Sequence, residues 1–175
     1  MKEDKPPYQF GTATNGLHSP NHAACDNKKG RQMTKPEQPR ITGTCLCGAV
    51  SFEVASAFDK LFFCSCDQCR QITGSAFASN LFVGAEGFVW LTGTAEIVRY
   101  QVPARDISKS FCRVCGSGVP WASSDGTKMI VPAGILKEPA QVAERIRIFA
   151  SELPKWASDL EHVPMHAKFP RPTGS

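Results

Sequence analysis

Seven of the eight cysteines lie in three tight groups, and this spacing restricts what the chain can fold into more than any other feature of the sequence. The groups are Cys45-Leu-Cys47, Cys64-Ser-Cys66-Asp-Gln-Cys69 and Cys112-Arg-Val-Cys115. Seven thiols cannot all pair with one another, disulfides seldom join cysteines two or three residues apart, and nothing in the sequence points to an oxidising compartment. Thiolates at this spacing in a reducing compartment are typical metal ligands. The sequence therefore predicts metal centres in a cytoplasmic protein.

Two of the groups together supply the four ligands that a tetrahedral structural zinc ion requires. These ligands are Cys45, Cys47, Cys112 and Cys115. Side chains at positions i and i+2 of a regular strand lie about 7 Å apart, which is too far for one zinc ion, so the backbone near Cys45 is expected to bend. Gly43 and Gly48 flank the first pair and permit this bend, and Gly116 permits a sharp turn after the second pair.

The third group, Cys64, Cys66 and Cys69, supplies only three ligands. Three protein ligands leave one coordination position for water or a substrate, which is the arrangement of a catalytic zinc ion. The sequence leaves two alternatives open. A remote side chain such as His162 or His166 could close the site, or the three cysteines could be reduced thiols without a metal.

An open zinc ion with three thiolate ligands favours one kind of chemistry. Three negative sulfurs around a dication leave a net charge of −1, which reduces the ability of the ion to polarise water. Zinc accepts thiolates readily and keeps a bound thiol deprotonated near neutral pH. The ligand set therefore indicates capture of a thiol followed by attack on an electrophile, in preference to hydrolysis.

The remainder of the sequence predicts an all-β domain of short antiparallel strands. Val50, Phe52 and Val54 alternate with polar residues, which is the period of a strand with one buried face. Residues 67–73 are the best candidate for a helix. Further strands are predicted at 61–64, 76–83, 107–111, 128–131 and 145–149, and a hairpin is predicted to join 87–91 to 96–102 around Thr92-Gly93-Thr94.

The first forty residues differ in composition from the rest. They contain seven Lys or Arg against four Asp or Glu, together with five Pro. Such a segment cannot bury enough apolar surface to offset the entropy of ordering it. Residues 1–40 are therefore predicted to be a flexible basic extension, 41–170 the zinc-binding domain and 171–175 a tail. His18, His22 and Cys25 in the extension are interpreted as an incidental cluster.

Charge and hydropathy exclude several classes of partner. Residues 41–175 contain thirteen Lys or Arg against twelve Asp or Glu, a balance that argues against nucleic-acid binding by the domain. The apolar stretches, such as Leu61-Phe62-Phe63, are far shorter than the roughly 20 residues of a membrane span. The amino terminus lacks the apolar segment of a secretory signal. The expected partners are a small-molecule thiol and an electrophile, and the oligomeric state is not predicted.

Four segments of the chain carry a resemblance to a known family. They are Gly43-Thr-Cys-Leu-Cys-Gly-Ala-Val-Ser-Phe-Glu-Val54, Cys64-Ser-Cys-Asp-Gln-Cys-Arg70 with Gly74-Ser-Ala-Phe77, Phe111-Cys-Arg-Val-Cys-Gly-Ser117 with Trp121, and Arg147-Ile-Phe-Ala-Ser-Glu-Leu-Pro-Lys-Trp156. In this order they resemble the glutathione-dependent formaldehyde-activating enzyme family, which also includes centromere protein V. The resemblance covers about residues 41–170.

The resemblance implies a small zinc-containing β-tent domain with two Zn²⁺ ions. The four-cysteine set would hold a structural ion, and Cys64, Cys66 and Cys69 would hold a second ion at the catalytic centre. The implied activity is that of a carbon–sulfur lyase-type enzyme that adds glutathione, bound through its thiol at the second zinc, to formaldehyde and gives S-hydroxymethylglutathione. Arg70 would meet a glutathione carboxylate, or else be an exposed arginine.

Two functions of other classes are weighed against this enzyme. One is a non-catalytic, zinc-stabilised binding module whose basic extension contacts a macromolecular partner. The other is a redox sensor that releases zinc when its cysteines are oxidised.

Overall fold

The structure, a computed structural model, describes residues 39–105 and 107–170. The predicted extension, including His18, His22 and Cys25, and the predicted tail lie outside these ranges, apart from residues 39 and 40. No helix among the described residues is long and apolar enough to cross a bilayer.

The described residues form eleven short strands and one α-helix, which confirms the prediction of an all-β domain. The helix α1 covers Asp67–Thr73, as predicted. The strands are β1 (Arg40–Thr44), β2 (Ser51–Ala55), β3 (Ala57–Cys64), β4 (Ala78–Gly84), β5 (Phe88–Thr92), β6 (Ile97–Gln101), β7 (Ser108–Cys112), β8 (Gly118–Val119), β9 (Trp121–Ala122), β10 (Lys128–Pro132) and β11 (Gln141–Ile148).

The strands form three small sheets. Their orders are β1-β2-β5, β11-β3-β4-β10-β9 and β6-β7-β8. The strand pairs of the described residues are antiparallel, as predicted, with one exception. Strand β11 runs parallel to β3, from Gln141 opposite Ala57 to Ile148 opposite Cys64. This pairing brings the C-terminal part of the domain to the end of β3, where the third cysteine group begins.

The larger core cluster joins the first sheet to the five-stranded sheet. Its buried members are Ile41, Phe52, Val54, Phe58, Leu81 and Val131. Phe52 is fully buried, stacks on Phe88 with ring centroids 5.2 Å apart, and meets Trp90 edge-on at 5.9 Å. Each large side chain buried in this way contributes roughly 1.5–3 kcal/mol.

A second, smaller cluster joins the first sheet to the β6-β7-β8 sheet. Cys45, Val50, Cys112 and Val119 are buried in it, and Trp90 packs against it as well as against the larger core. Two cysteines from distant parts of the chain are therefore members of one apolar cluster. The packing of these two sheets positions the four-cysteine centre.

The prediction of a hairpin between residues 87–91 and 96–102 is wrong. Strand β5 pairs with β2, whereas β6 pairs with β7 in a different sheet. Gly93 adopts a left-handed conformation with φ of 74°, and a 3₁₀ turn over Thr94–Glu96 then redirects the chain. The apolar side chains of β5 are used against Phe52 and its neighbours, so tertiary packing overrides the local turn signal.

Candidate metal centres

The four cysteines of the first predicted set come together at one point. The Sγ atoms of Cys45, Cys47, Cys112 and Cys115 all lie within 4.8 Å of one another. Cys45 Sγ is 3.5 Å from Cys47 Sγ, which is 3.9 Å from Cys112 Sγ. A tetrahedral ion with zinc–sulfur bonds of about 2.3 Å needs sulfurs about 3.8 Å apart. The donor set and its spacing therefore fit Zn²⁺.

The first pair meets because the chain turns immediately after β1. The Gly48 N–H donates to the Cys45 carbonyl at 3.0 Å, and Gly48 has a φ of 79°. The Val50 N–H donates to Cys45 Sγ at 3.3 Å. The predicted bend is confirmed, and it depends on Gly48. Gly43 serves a different purpose, because a Cβ at this position would meet the ring of Phe52.

The second pair is folded back by the predicted turn. The Gly116 N–H donates to the Cys112 carbonyl at 2.8 Å, with a Gly116 φ of 74°. Ser117, which the sequence analysis did not single out, connects the two halves of the centre. Its Oγ accepts a hydrogen bond from the Leu46 N–H at 3.0 Å and lies 3.4 Å from Cys115 Sγ.

The surroundings of Cys115 favour its thiolate. Hydrogen bonds from the Ser117 hydroxyl and then from the Ser117 backbone N–H hold the pKa of Cys115 at about 5, well below its ordinary value of 9.0. A thiol that ionises easily is a ready metal ligand, because metal binding must displace its proton.

The third cysteine group forms a separate cluster at the end of β3. Cys64 ends the strand, Cys66 precedes α1 and Cys69 lies within the helix, and their Sγ atoms lie within 4.8 Å of one another. Cys64 Sγ and Cys66 Sγ are 3.5 Å apart. Among the described residues no histidine or carboxylate joins the cluster, so His162 and His166 stand outside it.

The segment that carries the three cysteines, residues 64–69, is called the cysteine loop here. Backbone hydrogen bonds and two charged side chains hold it in place. The Ser65 N–H donates to the carbonyl of Ile148 on β11 at 3.1 Å. Arg70 Nε donates to the Ser65 carbonyl at 3.0 Å. The Asp67 N–H at the start of α1 donates to Glu152 Oε2 at 2.9 Å. Gly74, with a φ of 60°, ends the helix.

Arg70 is half-buried and its guanidinium is already engaged within the loop. Besides the Ser65 carbonyl, it contacts Asp67 Oδ1 through Nη2 at 3.3 Å. Asp67 also accepts from the Gln71 amide at 2.8 Å. The structure thus places Arg70 beside the cluster as a support for the loop.

The three clustered thiols resist losing their protons together. Burial raises the pKa of Cys64, and burial together with the neighbouring sulfurs raises the pKa of Cys69. At Cys66 burial also raises the pKa, but hydrogen bonds from the Cys69 backbone N–H and from the Cys64 thiol outweigh it and lower the pKa overall. Full ionisation of such a set requires a cation, so this donor set also fits a bound Zn²⁺.

Two cationic side chains from the β6–β7 region, Arg105 and Lys109, lie near α1 and its cysteines. The spacing of the cysteines did not predict either of them. When its amide oxygen faces Arg105, Gln68 on α1 accepts hydrogen bonds from Nη1 and Nε of the Arg105 guanidinium. This contact joins α1 to the segment after β6. The Lys109 ammonium lies 4.9 Å from the centroid of the Trp121 ring and within electrostatic range of Cys69. Only information about contacts between distant segments of the chain could have identified these two residues.

Comparison with known proteins gives a family match and a similar solved structure. The sequence profile of the family described as glutathione-dependent formaldehyde-activating enzyme matches residues 40–152. A crystal structure of a Rhodobacter sphaeroides protein is similar, with 26% sequence identity and a TM-score of 0.45 over 55% of this chain and 88% of that chain. The matched residues include all seven cysteines of the two clusters.

Proposed function

Because this chain belongs to the glutathione-dependent formaldehyde-activating enzyme family, we propose that it is a zinc-dependent carbon–sulfur lyase-type enzyme. It joins the thiol of glutathione to formaldehyde and gives S-hydroxymethylglutathione. The observation that carries this proposal is the difference between the two cysteine clusters. One contains four sulfurs, and the other contains three with no further protein ligand among the described residues.

The four-cysteine centre is proposed to be structural. Cys45 and Cys112 are buried members of the cluster that joins two sheets, so an ion held by these residues would cross-link the sheets. Ligands at such a centre are brought together only by folding, so the free energy of metal binding adds to the free energy of folding. Cys45, Cys47, Cys112 and Cys115 would hold this ion.

The three-cysteine centre is proposed to be catalytic, with Cys64, Cys66 and Cys69 as its ligands. A zinc ion bound there would supply stabilisation of a substrate thiolate near neutral pH. The chain itself fixes the three sulfurs through the Ser65 backbone and α1. Arg70 and Glu152 hold these segments through the Ser65 carbonyl and the Asp67 N–H.

The overall reaction requires no redox partner. A carbon–sulfur bond forms between the thiol sulfur and the formaldehyde carbon, and the carbonyl π bond breaks. The thiol proton is transferred overall to the former carbonyl oxygen, which becomes the hydroxyl group of the product.

All seven described cysteines are free, so the proposal also places the protein in a reducing compartment, the cytoplasm.

Glutathione titration of the zinc-loaded protein tests the proposal, with Cys66→Ser as the variant and Cys25→Ser as the matched control. Wild type and Cys25→Ser should bind glutathione in calorimetry and convert ¹³C-formaldehyde to S-hydroxymethylglutathione, detected by NMR. Cys66→Ser should keep its fold and lose both properties. The absence of measurable glutathione binding by the wild type at millimolar concentration, or unchanged binding by Cys66→Ser, would contradict the proposal.

A further inference from the structure

Lys109 is a half-buried cation without an anionic partner. It lies on β7, and its ammonium rests over the indole of Trp121. Among the described residues it takes part in no ion pair or hydrogen bond through this group, whereas Arg40, Lys60, Arg70 and Arg113 each have an acidic partner. A desolvated ammonium with three unused donors is available to bind an anion.

Gly118 on β8 provides the room for this side chain. A Cβ at Gly118 would lie 2.5 Å from Lys109 Nζ and 2.8 Å from Lys109 Cε. The lysine therefore crosses the neighbouring strand where that strand has no side chain. Together with the contact to Trp121, this fixes the position of the ammonium.

The segment that carries Lys109 lies beside the three-cysteine centre. The Gln68 amide oxygen, turned toward Arg105, accepts from its guanidinium, so α1 contacts the segment that precedes β7. Cys69 follows Gln68 on α1, and Lys109 lies on β7. Burial lowers the pKa of the Lys109 ammonium, and Cys69 acts on that pKa in the opposite direction.

A groove lies on the same face of the five-stranded sheet as Cys64. Cys64 pairs with Ala78, and Asn80 two residues further along β4 projects from the same face. Asn80 and Trp121 both line the groove, which has a volume of about 260 Å³. Ile107 and Ser108, which directly precede Lys109 in sequence, also line the groove. The groove thus extends from Asn80, two residues after the β4 partner of Cys64, to the indole that carries the ammonium.

We propose that Lys109 binds a carboxylate of the thiol substrate, and that this site selects thiols that carry a carboxylate at a distance from their sulfur. The inference rests on the proposed function, since it assumes that the substrate sulfur lies at the three-cysteine centre. Glutathione has two carboxylates flanking its cysteine and belongs to this class. The ammonium supplies a charge-assisted hydrogen bond, and the groove through Asn80 and Ser108 accommodates the peptide part of the ligand.

The test compares two thiols on zinc-loaded protein by calorimetry, one with carboxylates (glutathione) and one without (2-mercaptoethanol). Lys109→Met keeps most of the side-chain volume over Trp121 and removes the charge. It should weaken glutathione binding about tenfold, which corresponds to about 1.4 kcal/mol, and leave 2-mercaptoethanol binding unchanged. Lys128→Met on β10 is the matched control and should change neither affinity.

Gly118→Ala is the second variant, because it displaces the ammonium and retains the charge. It should weaken glutathione selectively in the same way. Zinc content and the circular dichroism spectrum should stay at wild-type values in all variants. Unchanged glutathione affinity in Lys109→Met would overturn the inference. An equal loss for both thiols would also overturn it, since the lysine would then act on the metal centre or the fold. If the wild type bound neither thiol, the proposed function itself would fail.

Discussion

Substitution of Gly43 by alanine tests how the core supports the four-cysteine centre. Gly43 lies on β1, two residues before Cys45, and a Cβ there would lie 2.6 Å from Cε1 and 2.7 Å from Cε2 of Phe52. Phe52 is fully buried between Phe88 and Trp90, so its ring cannot move aside without displacing other rings. Overpacking of this kind costs about 1–3 kcal/mol.

This cost is measurable by urea denaturation of the zinc-loaded protein. In thermal denaturation, a loss of about 1–3 kcal/mol corresponds to a fall in the melting temperature of roughly 2–12 °C for a chain of this size. The apparent zinc affinity should fall as well, because metal binding at this centre is coupled to folding. Competition with a chromogenic chelator reports that affinity.

A double substitution separates the predicted clash from a general effect on β1. Phe52→Leu removes the ring atoms that the new Cβ would meet, so Gly43→Ala should cost less in the Phe52→Leu background than in the wild type. Full wild-type stability of Gly43→Ala would refute the reasoning, and so would strict additivity of the two substitutions.

Three further predictions concern the cysteine loops. Ser117→Ala should raise the pKa of Cys115 from about 5 toward its ordinary value, because the thiolate loses the hydrogen bond from the serine hydroxyl. The stabilisation that a lowered thiol pKa provides is lost as the pH falls, so zinc release measured against pH should begin at a higher pH in the variant than in the wild type. Arg70→Met removes the support of the Ser65 carbonyl and should weaken zinc binding at the three-cysteine centre several-fold in chelator competition, with Arg145→Met as the unaffected control. Glu152→Ala should also weaken that centre, because the Asp67 N–H loses its acceptor, whereas Glu152→Gln should retain most of the affinity; equal losses in the two Glu152 variants would argue that charge is what matters.

The features that the sequence predicted correctly depend on short-range spacing. The two cysteine clusters, the bend after β1, the turn at Gly116 and the helix over 67–73 are each encoded within a few residues. Strand alternation around Phe52 likewise identified a buried face before any partner strand was known. Donor chemistry then restricted the metal, because closely spaced thiolates suit zinc.

The features that the sequence analysis missed depend on contacts between distant segments. The turn at Gly93 looked like a hairpin because local signals do not show that β5 pairs with β2. The parallel pairing of β11 with β3 was missed for the same reason. Ser117 and Lys109 were not singled out because their partners lie 71 residues away in one case and on another sheet in the other.

Native mass spectrometry of freshly purified protein tests the central claim most directly, because it counts the metal ions on each folded chain. Two zinc ions are expected on the wild type, and one on Cys66→Ser, which loses the three-cysteine centre and keeps the folded domain. Cys112→Ser should lose the other ion together with the native charge-state distribution. A wild-type chain that binds one zinc ion or none, or a Cys66→Ser variant that still binds two, would contradict the account.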